Sequence, residues 1–134
     1  MKPVDQSICN FINGDCFRAC VASIFEVPLD AIPNFTADGP ENFAALLDKW
    51  STKNNLFCFD VSADSLDPDW IKDMYVIATG PSPRDSSKLH AVVWKNGKLA
   101  HDPHPSKLGL ADKPTIFTFF TLKDYPKYKI RETL

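Results

Sequence analysis

The chain has 134 residues, of which 44% are hydrophobic, and a formal net charge of −2. This length suits one domain, residues 1–134, and the hydrophobic content is too high for a disordered chain. The slight acidity gives no electrostatic reason to expect nucleic acid or a membrane surface as a partner. The N-terminus lacks the apolar run of a signal peptide, and no stretch approaches the length of a transmembrane helix. We therefore expect a cytoplasmic protein whose four cysteines stay reduced.

The first predicted helix follows a polar turn at residues 13–15. Gly14 permits a tight backbone turn there, and Asp15 is a favourable N-cap. Apolar residues then recur with the spacing of one buried helical face, at Phe17, Cys20, Val21 and Ile24. Cys16 lies beside this stripe in the first helical turn, where the positive end of the helix dipole favours a thiolate over a thiol. The sequence therefore predicts a nucleophilic cysteine at position 16.

The rest of the chain predicts one more helix and then a series of strands. The second helix is expected over about 40–55, with a buried stripe of Phe43, Leu46, Leu47 and Trp50. The predicted strands are 56–61, 74–79, 88–94, 98–102 and 115–122. A short helix or turn is expected around Trp70, and loops are expected over 80–87 and 103–114. The basic residues near the C-terminus predict a solvated tail. Helices followed by adjacent strands predict an α+β domain, in which an antiparallel sheet carries the first helix.

The turn between the strands 88–94 and 98–102 decides whether a histidine and a carboxylate meet. A three-residue loop over 95–97 places His90 directly opposite Asp102, on one face of the hairpin. Such cross-strand partners have β-carbons about 5 Å apart, close enough for a carboxylate to orient an imidazole. A two-residue turn over 96–97 would instead set two lysines against each other and put His90 and Asp102 on opposite faces. Because of that like-charge pair, we favour the three-residue loop.

Three motifs together resemble papain-like cysteine peptidases. They are Gly14-Asp15-Cys16 at a helix start, Leu89-His90-Ala91-Val92-Val93 on a strand, and Asp102-Pro103 at the end of the next strand. The pattern is most similar to small bacterial and phage members related to the bacteriocin-processing group. The resemblance implies a papain-like fold and a cysteine hydrolase, a peptidase or an amidase or isopeptidase, acting on a peptide or protein substrate. It implies Cys16 as nucleophile, His90 as general base and acid, and Asp102 as the orienting group, with no metal ion and no cofactor.

The same resemblance raises the question of which amide side chain would stabilise an oxyanion. The family places an amide, usually glutamine, six residues before the cysteine, and here that position holds Asn10. Gln6 has the usual residue type but lies ten residues before the cysteine, so both remain candidates. The backbone N–H of Cys16 would be the second donor. Asp15 and His104 are candidates for residues that line the cleft.

Two alternatives remain open at the level of sequence. Cys16 and Cys20, together with His101 and His104, could offer two sulfurs and two nitrogens to a zinc ion. A non-catalytic binding module could also retain the papain-like fold and its triad residues. The sequence leaves open whether an acyl-enzyme would pass to water or to another acceptor, and which oligomeric state the chain adopts.

Overall fold

The computed structural model describes residues 1–124, in which two α-helices and one five-stranded antiparallel sheet form an α+β arrangement. The elements are α1 Cys16–Phe25, α2 Phe43–Lys53, β1 Leu56–Ser62, β2 Val76–Ser82, β3 Asp85–Lys95, β4 Lys98–His101 and β5 Ile116–Leu122. The strand order is β1-β5-β2-β3-β4, so that β5 lies between β1 and β2. The predicted α+β class is confirmed, whereas most of the predicted basic tail lies outside the described residues.

The two helices cover one face of the sheet and form the core with it. α1 packs against β2 and β3, and α2 packs against β1. Both predicted stripes are confirmed, since Cys20, Val21 and Leu47 are buried and the other stripe residues pack against them in part. α2 begins later than predicted because residues 40–42 form a 3₁₀ turn. Within residues 1–124, no helix has the length and apolar character needed to cross a membrane.

The segment 80–87 is not the loop that its proline, glycine and serine content predicts. β2 runs on through Gly80 and Pro81, and β3 begins after only two intervening residues. The register shifts directly after Pro81, a place where the missing proline N–H is tolerated. A Cβ at Gly80 would lie 3.2 Å from the carbonyl oxygen of Lys113, so the chain crosses β2 closely here before it enters β5. Local composition misses this strand because the pairing that forms it comes from distant residues.

The turn between β3 and β4 is the two-residue form, so the predicted three-residue loop is wrong. Lys95 pairs with Lys98, and Asn96 and Gly97 have φ angles of 51° and 76°. Positive φ at both central residues is the requirement of a type I′ turn, which asparagine followed by glycine meets well. The Lys95 ammonium lies 4.5 Å from the centroid of the Tyr75 ring. This cation–π contact offsets the like-charge pairing that made the register unattractive from sequence.

A β-bulge in β4 nevertheless returns His90 and Asp102 to one face. Beyond the turn the register shifts by one residue, so that Val93 pairs with His101 and Ala100 is the extra residue. Because side chains alternate between faces, a one-residue shift moves every later side chain of β4 to the other face. Continuing this register sets Asp102 diagonally from His90 rather than directly opposite. The predicted shared face is correct, but its cause is the bulge and not the turn.

We expect the sheet core to be sensitive to truncation under α1. Ile77 is fully buried in β2, and Ile77→Ala should lower the free energy of unfolding by about 2–5 kcal/mol through lost burial and a residual cavity. Ile12→Ala is the matched control, since Ile12 is 82% exposed and its loss should change stability by less than about 0.5 kcal/mol. Urea unfolding followed by circular dichroism measures both values. Equal losses in the two variants would contradict this description of the core.

Candidate active site

His90 and Asp102 form a buried pair next to the start of α1. The two residues are 3% and 2% exposed, and His90 Nε2 lies 2.7 Å from Asp102 Oδ1. The backbone N–H groups of His104 and Gly109 donate to the two carboxylate oxygens of Asp102 at 2.9 and 2.7 Å. Burial alone would raise the pKa of Asp102, but these hydrogen bonds and the charge of His90 lower it to about 2. The carboxylate therefore stays charged and fixed in orientation.

Cys16 completes a chain of three side chains. Burial alone would lower the pKa of His90, but hydrogen bonding to Asp102 and to Cys16, with the charges of both, raises it to about 9. Because Asp102 occupies Nε2, Nδ1 is the ring nitrogen left for Cys16. Cys16 is the first residue of α1 and is partly exposed. The structure thus brings together the three residues that the sequence singled out, with the charged imidazole of His90 beside Cys16.

Asp15 is structural in a way that its sequence position does not reveal. It precedes α1, but its side chain makes no capping hydrogen bond, and the residue is only 1% exposed. Its carboxylate accepts hydrogen bonds from the backbone N–H groups of Ser7 and Ile8 at 2.9 and 2.8 Å and from the Ser7 hydroxyl at 2.8 Å. Arg18 Nη1 lies 3.3 Å away. Asp15 therefore fastens the N-terminal segment to α1, and the predictions of a side-chain cap and of a cleft-lining residue are both wrong.

The turn before Cys16 is fixed by close packing. Gly14 does not have a positive φ, but a Cβ on it would collide with the carbonyl oxygen of Asn10, so the glycine is needed for close approach rather than for its backbone freedom. Thr36 Oγ1 donates to the carbonyl oxygen of Gly14 at 2.9 Å, and Asn34 Nδ2 donates to that of Asn13 at 3.1 Å. Sequence reasoning missed these two tethers because they come from a segment about twenty residues later.

Both oxyanion candidates line the cleft beside Cys16, but their contacts differ. Asn10 Oδ1 accepts hydrogen bonds from the backbone N–H groups of residues 12 and 13, so this side chain holds a local turn together. The backbone N–H of Gln6 donates to the carbonyl oxygen of Pro103 at 3.0 Å, directly after Asp102. Gln6 Nε2 donates to the carbonyl oxygen of Ile8 at 2.9 Å, and Gln6 Oε1 is buried with no hydrogen-bond partner within residues 1–124. Gln6 is therefore hydrogen-bonded through its backbone to the residue after Asp102, and through its side chain to the segment that precedes Cys16.

The cleft has two recesses that share Cys16 and His90. One, the cationic recess, has a volume of about 310 Å³ and is lined by residues 6 and 9–12 on one wall, and by Arg84, residues 87–90 and His104 on the other. The second, the apolar recess, has a volume of about 360 Å³; the apolar side chains that line it include Phe17, Phe43, Leu89 and Ile116. Both volumes are in the range of sites for small ligands and parts of larger ones.

His104 lies in the cationic recess, as predicted for a cleft residue. Its ring packs edge-on against that of His90, with centroids 6.1 Å apart. Its Nδ1 lies 2.9 Å from the hydroxyl of Ser106. Partial burial, together with the positive charges of Arg84 and His90, lowers the pKa of His104 below its usual value. His104 therefore stays neutral at neutral pH.

The third histidine belongs to the scaffold. His101 Nε2 lies 2.9 Å from the carbonyl oxygen of Val4 and 3.3 Å from Asp5 Oδ1, so it anchors the N-terminal segment to the end of β4. In the part of the chain that the structure describes, no three His, Cys, Asp or Glu side chains converge in a way that could hold a metal ion. The zinc alternative, which needed His101 in a four-residue ligand set with Cys20, is therefore not supported by the donor geometry.

We expect the titration of His90 to depend on Asp102. In the wild-type protein the His90 ring should titrate near pH 9, and Asp102→Asn should lower that midpoint by about one unit or more, because the neutral amide no longer stabilises the charged ring. Asp5→Asn is the matched control, since Asp5 pairs with His101. NMR titration of the histidine ring protons gives these values. An unchanged His90 midpoint in folded Asp102→Asn would contradict the electrostatic coupling.

Comparisons of the chain with protein-family models, with curated proteins and with solved structures found no match.

Proposed function

We propose that the protein is a cysteine hydrolase of the papain-like kind, which cleaves a peptide, amide or isopeptide bond through a thioester acyl-enzyme. The observation that carries this proposal is the position of His90, whose Nε2 lies 2.7 Å from Asp102 Oδ1 and which lines the same two recesses as Cys16. The pKa of His90 is raised to about 9. A thiolate at a helix start, paired with a charged imidazole that a carboxylate orients, is the arrangement that nucleophilic cysteine chemistry requires.

The chemical steps follow from these three groups. The Cys16 thiolate attacks a carbonyl carbon, and the charged His90 ring then gives its proton to the leaving amine as the carbon–nitrogen bond breaks. A thioester to Cys16 remains. The neutral His90 next removes a proton from water, which attacks the thioester and releases an acid and the Cys16 thiolate. Asp102 keeps the ring oriented and stabilises its charged form throughout.

The papain-like relationship is supported by the order of the motifs along the chain. A cysteine begins the first long helix, a histidine lies in a strand behind it, and a carboxylate follows the next strand. The two recesses beside Cys16 form an open cleft that suits an extended chain, which favours a peptide or protein as the substrate. Transfer of the acyl group to an acceptor other than water would use the same residues.

Gln6 is the better candidate for the oxyanion donor. Its amide nitrogen has a second N–H besides the one donated to Ile8, and its backbone is fixed to the residue that follows Asp102. Asn10 has its amide oxygen committed to the turn at residues 12 and 13. We assign the oxyanion to Gln6 Nε2 and the backbone N–H of Cys16, which α1 leaves without an intrahelical partner.

Acylation by an activated ester tests the proposed chemistry. p-Nitrophenyl acetate should release p-nitrophenolate in a burst of about one equivalent and leave an acetyl group on Cys16, because the charged imidazole keeps that sulfur as a thiolate. Stopped-flow absorbance measures the burst, and peptide mass spectrometry locates the acetyl group. His90→Ala should abolish the burst, whereas His101→Ala is the control and should keep it if the variant remains folded.

Acetylation of Cys9 in preference to Cys16, with the wild-type fold intact, would overturn this function. The binding-module alternative would then be the better explanation of the fold.

The assignment of the oxyanion donor makes a separate prediction. Gln6→Ala should slow acylation by p-nitrophenyl acetate about 100-fold, because a donor to the developing oxyanion is lost. Alkylation of Cys16 by iodoacetamide should be nearly unchanged in the same variant, since displacement at a saturated carbon develops no oxyanion. Asn10→Ala should lower the melting temperature by loosening its turn, with much less effect on acylation of the folded protein. The reverse order of acylation rates would assign the donor to Asn10.

A further inference from the structure

The cationic recess has a charge bias that the protein as a whole lacks. The chain carries a net charge of −2, yet the lining of this recess includes Arg84 and Lys88 and no aspartate or glutamate. The nearest carboxylate in sequence, Asp85, lies outside the lining and is hydrogen-bonded to Ser87 at 3.0 and 2.7 Å. Positive charge on a cleft wall in an acidic protein raises the local concentration of anionic ligands.

Arg84 is held in place without using its charge. Its Nη1 donates to the hydroxyl of Ser106 at 3.0 Å, and that oxygen lies 2.9 Å from Nδ1 of His104. Both partners are neutral, since the pKa of His104 is lowered. Among the ion pairs of residues 1–124, none involves Arg84. A positioned guanidinium with no carboxylate of its own retains donors for a bidentate bond to a carboxylate brought by a ligand.

The apolar recess, which also contains Cys16, disfavours a negatively charged ligand group. Its lining is mainly apolar, and its one carboxylate, Asp60, accepts a hydrogen bond from Thr118 Oγ1 at 2.6 Å. A second carboxylate in this recess would face repulsion from Asp60 and would lose hydration to the apolar walls. Only one side of the cleft therefore suits a negative group.

We propose that the substrate is an acidic peptide, with a carboxylate on the side of the reacting carbonyl that faces Arg84. The proposal rests on the proposed function, because it takes Cys16 as the reacting group. The carboxylate binds the guanidinium of Arg84 with support from Lys88, and the uncharged part of the peptide extends into the apolar recess. Electrostatic selection of this kind acts on the encounter with the substrate as well as on its bound orientation.

Two alkylating reagents of nearly the same size, anionic iodoacetate and neutral iodoacetamide, test this proposal on the full chain. The rate of each at Cys16 is measured by peptide mass spectrometry at pH 7 and low salt. We expect Arg84→Gln to lower the ratio of the iodoacetate rate to the iodoacetamide rate about three- to tenfold, the loss expected when one nearby charge is removed from a hydrated cleft. Lys98→Gln, at the far end of the β3–β4 hairpin, removes the same charge and should leave the ratio unchanged.

The outcomes separate this proposal from the proposed function. If Cys16 reacts with iodoacetamide no faster than the exposed Cys9, the thiol is not activated and the proposed function fails. If Cys16 is fast but the ratio is the same in wild type, Arg84→Gln and Lys88→Gln, only the acidic substrate is overturned. In the wild type, raising sodium chloride from 0.05 to 0.5 M should also lower the ratio, because salt screens the attraction. A ratio that does not respond to salt would count against the proposal even without a variant.

Discussion

The buried hydrogen bond between His90 and Asp102 is the interaction on which the cleft depends. Burial of a charged carboxylate costs free energy unless its oxygens accept hydrogen bonds. Asp102 is 2% exposed, and its oxygens are bound by two backbone N–H groups and by the imidazole of His90. Because His90 and Asp102 are each other's ion-pair partner, loss of either side chain would leave a buried charge without its counter-charge. The same pairing lowers the pKa of Asp102 and raises that of His90. The ring next to Cys16 is therefore held in both position and charge state by one contact.

A second buried carboxylate explains how distant parts of the chain share one cleft. Asp15 ties residues 7–8 to the start of α1, while Gln6 is tied to Pro103 after β4 and Val4 to His101 at the end of β4. The N-terminal segment therefore bridges α1, which begins with Cys16, and the segment after β4, which carries Asp102. Because it also forms one wall of the cationic recess, its position sets the distance across the cleft. Contacts that hold the scaffold together thus also shape the place where a substrate would lie.

Local patterns predicted the parts of this fold that depend on neighbours along the chain. The stripe that buries Cys20 and Val21 follows from helical spacing, and so does the position of Cys16 at the helix start. The bulge at Ala100 was beyond prediction, since it arises where β4 must pair with β3 and still reach the loop that holds Asp102. The sequence does not predict the role of Asp15 for a similar reason, because its hydrogen-bond partners, Ser7 and Ile8, approach only in the folded chain.

The electrostatic character of the cleft depends on which of the cationic side chains in and around it have a carboxylate partner and which do not. His90 has a carboxylate partner in Asp102, which is buried, and Lys107 has one in Asp5 at the surface, so both charges are paired within the chain. Arg84 is held by a hydroxyl instead, and its positive charge is not cancelled by the group that positions it. An aspartate in place of Ser106 would hold the guanidinium more firmly but would remove the field that the cleft presents. Positioning by a neutral hydroxyl therefore leaves the charge of Arg84 available to a ligand, which is what the proposed acidic substrate requires.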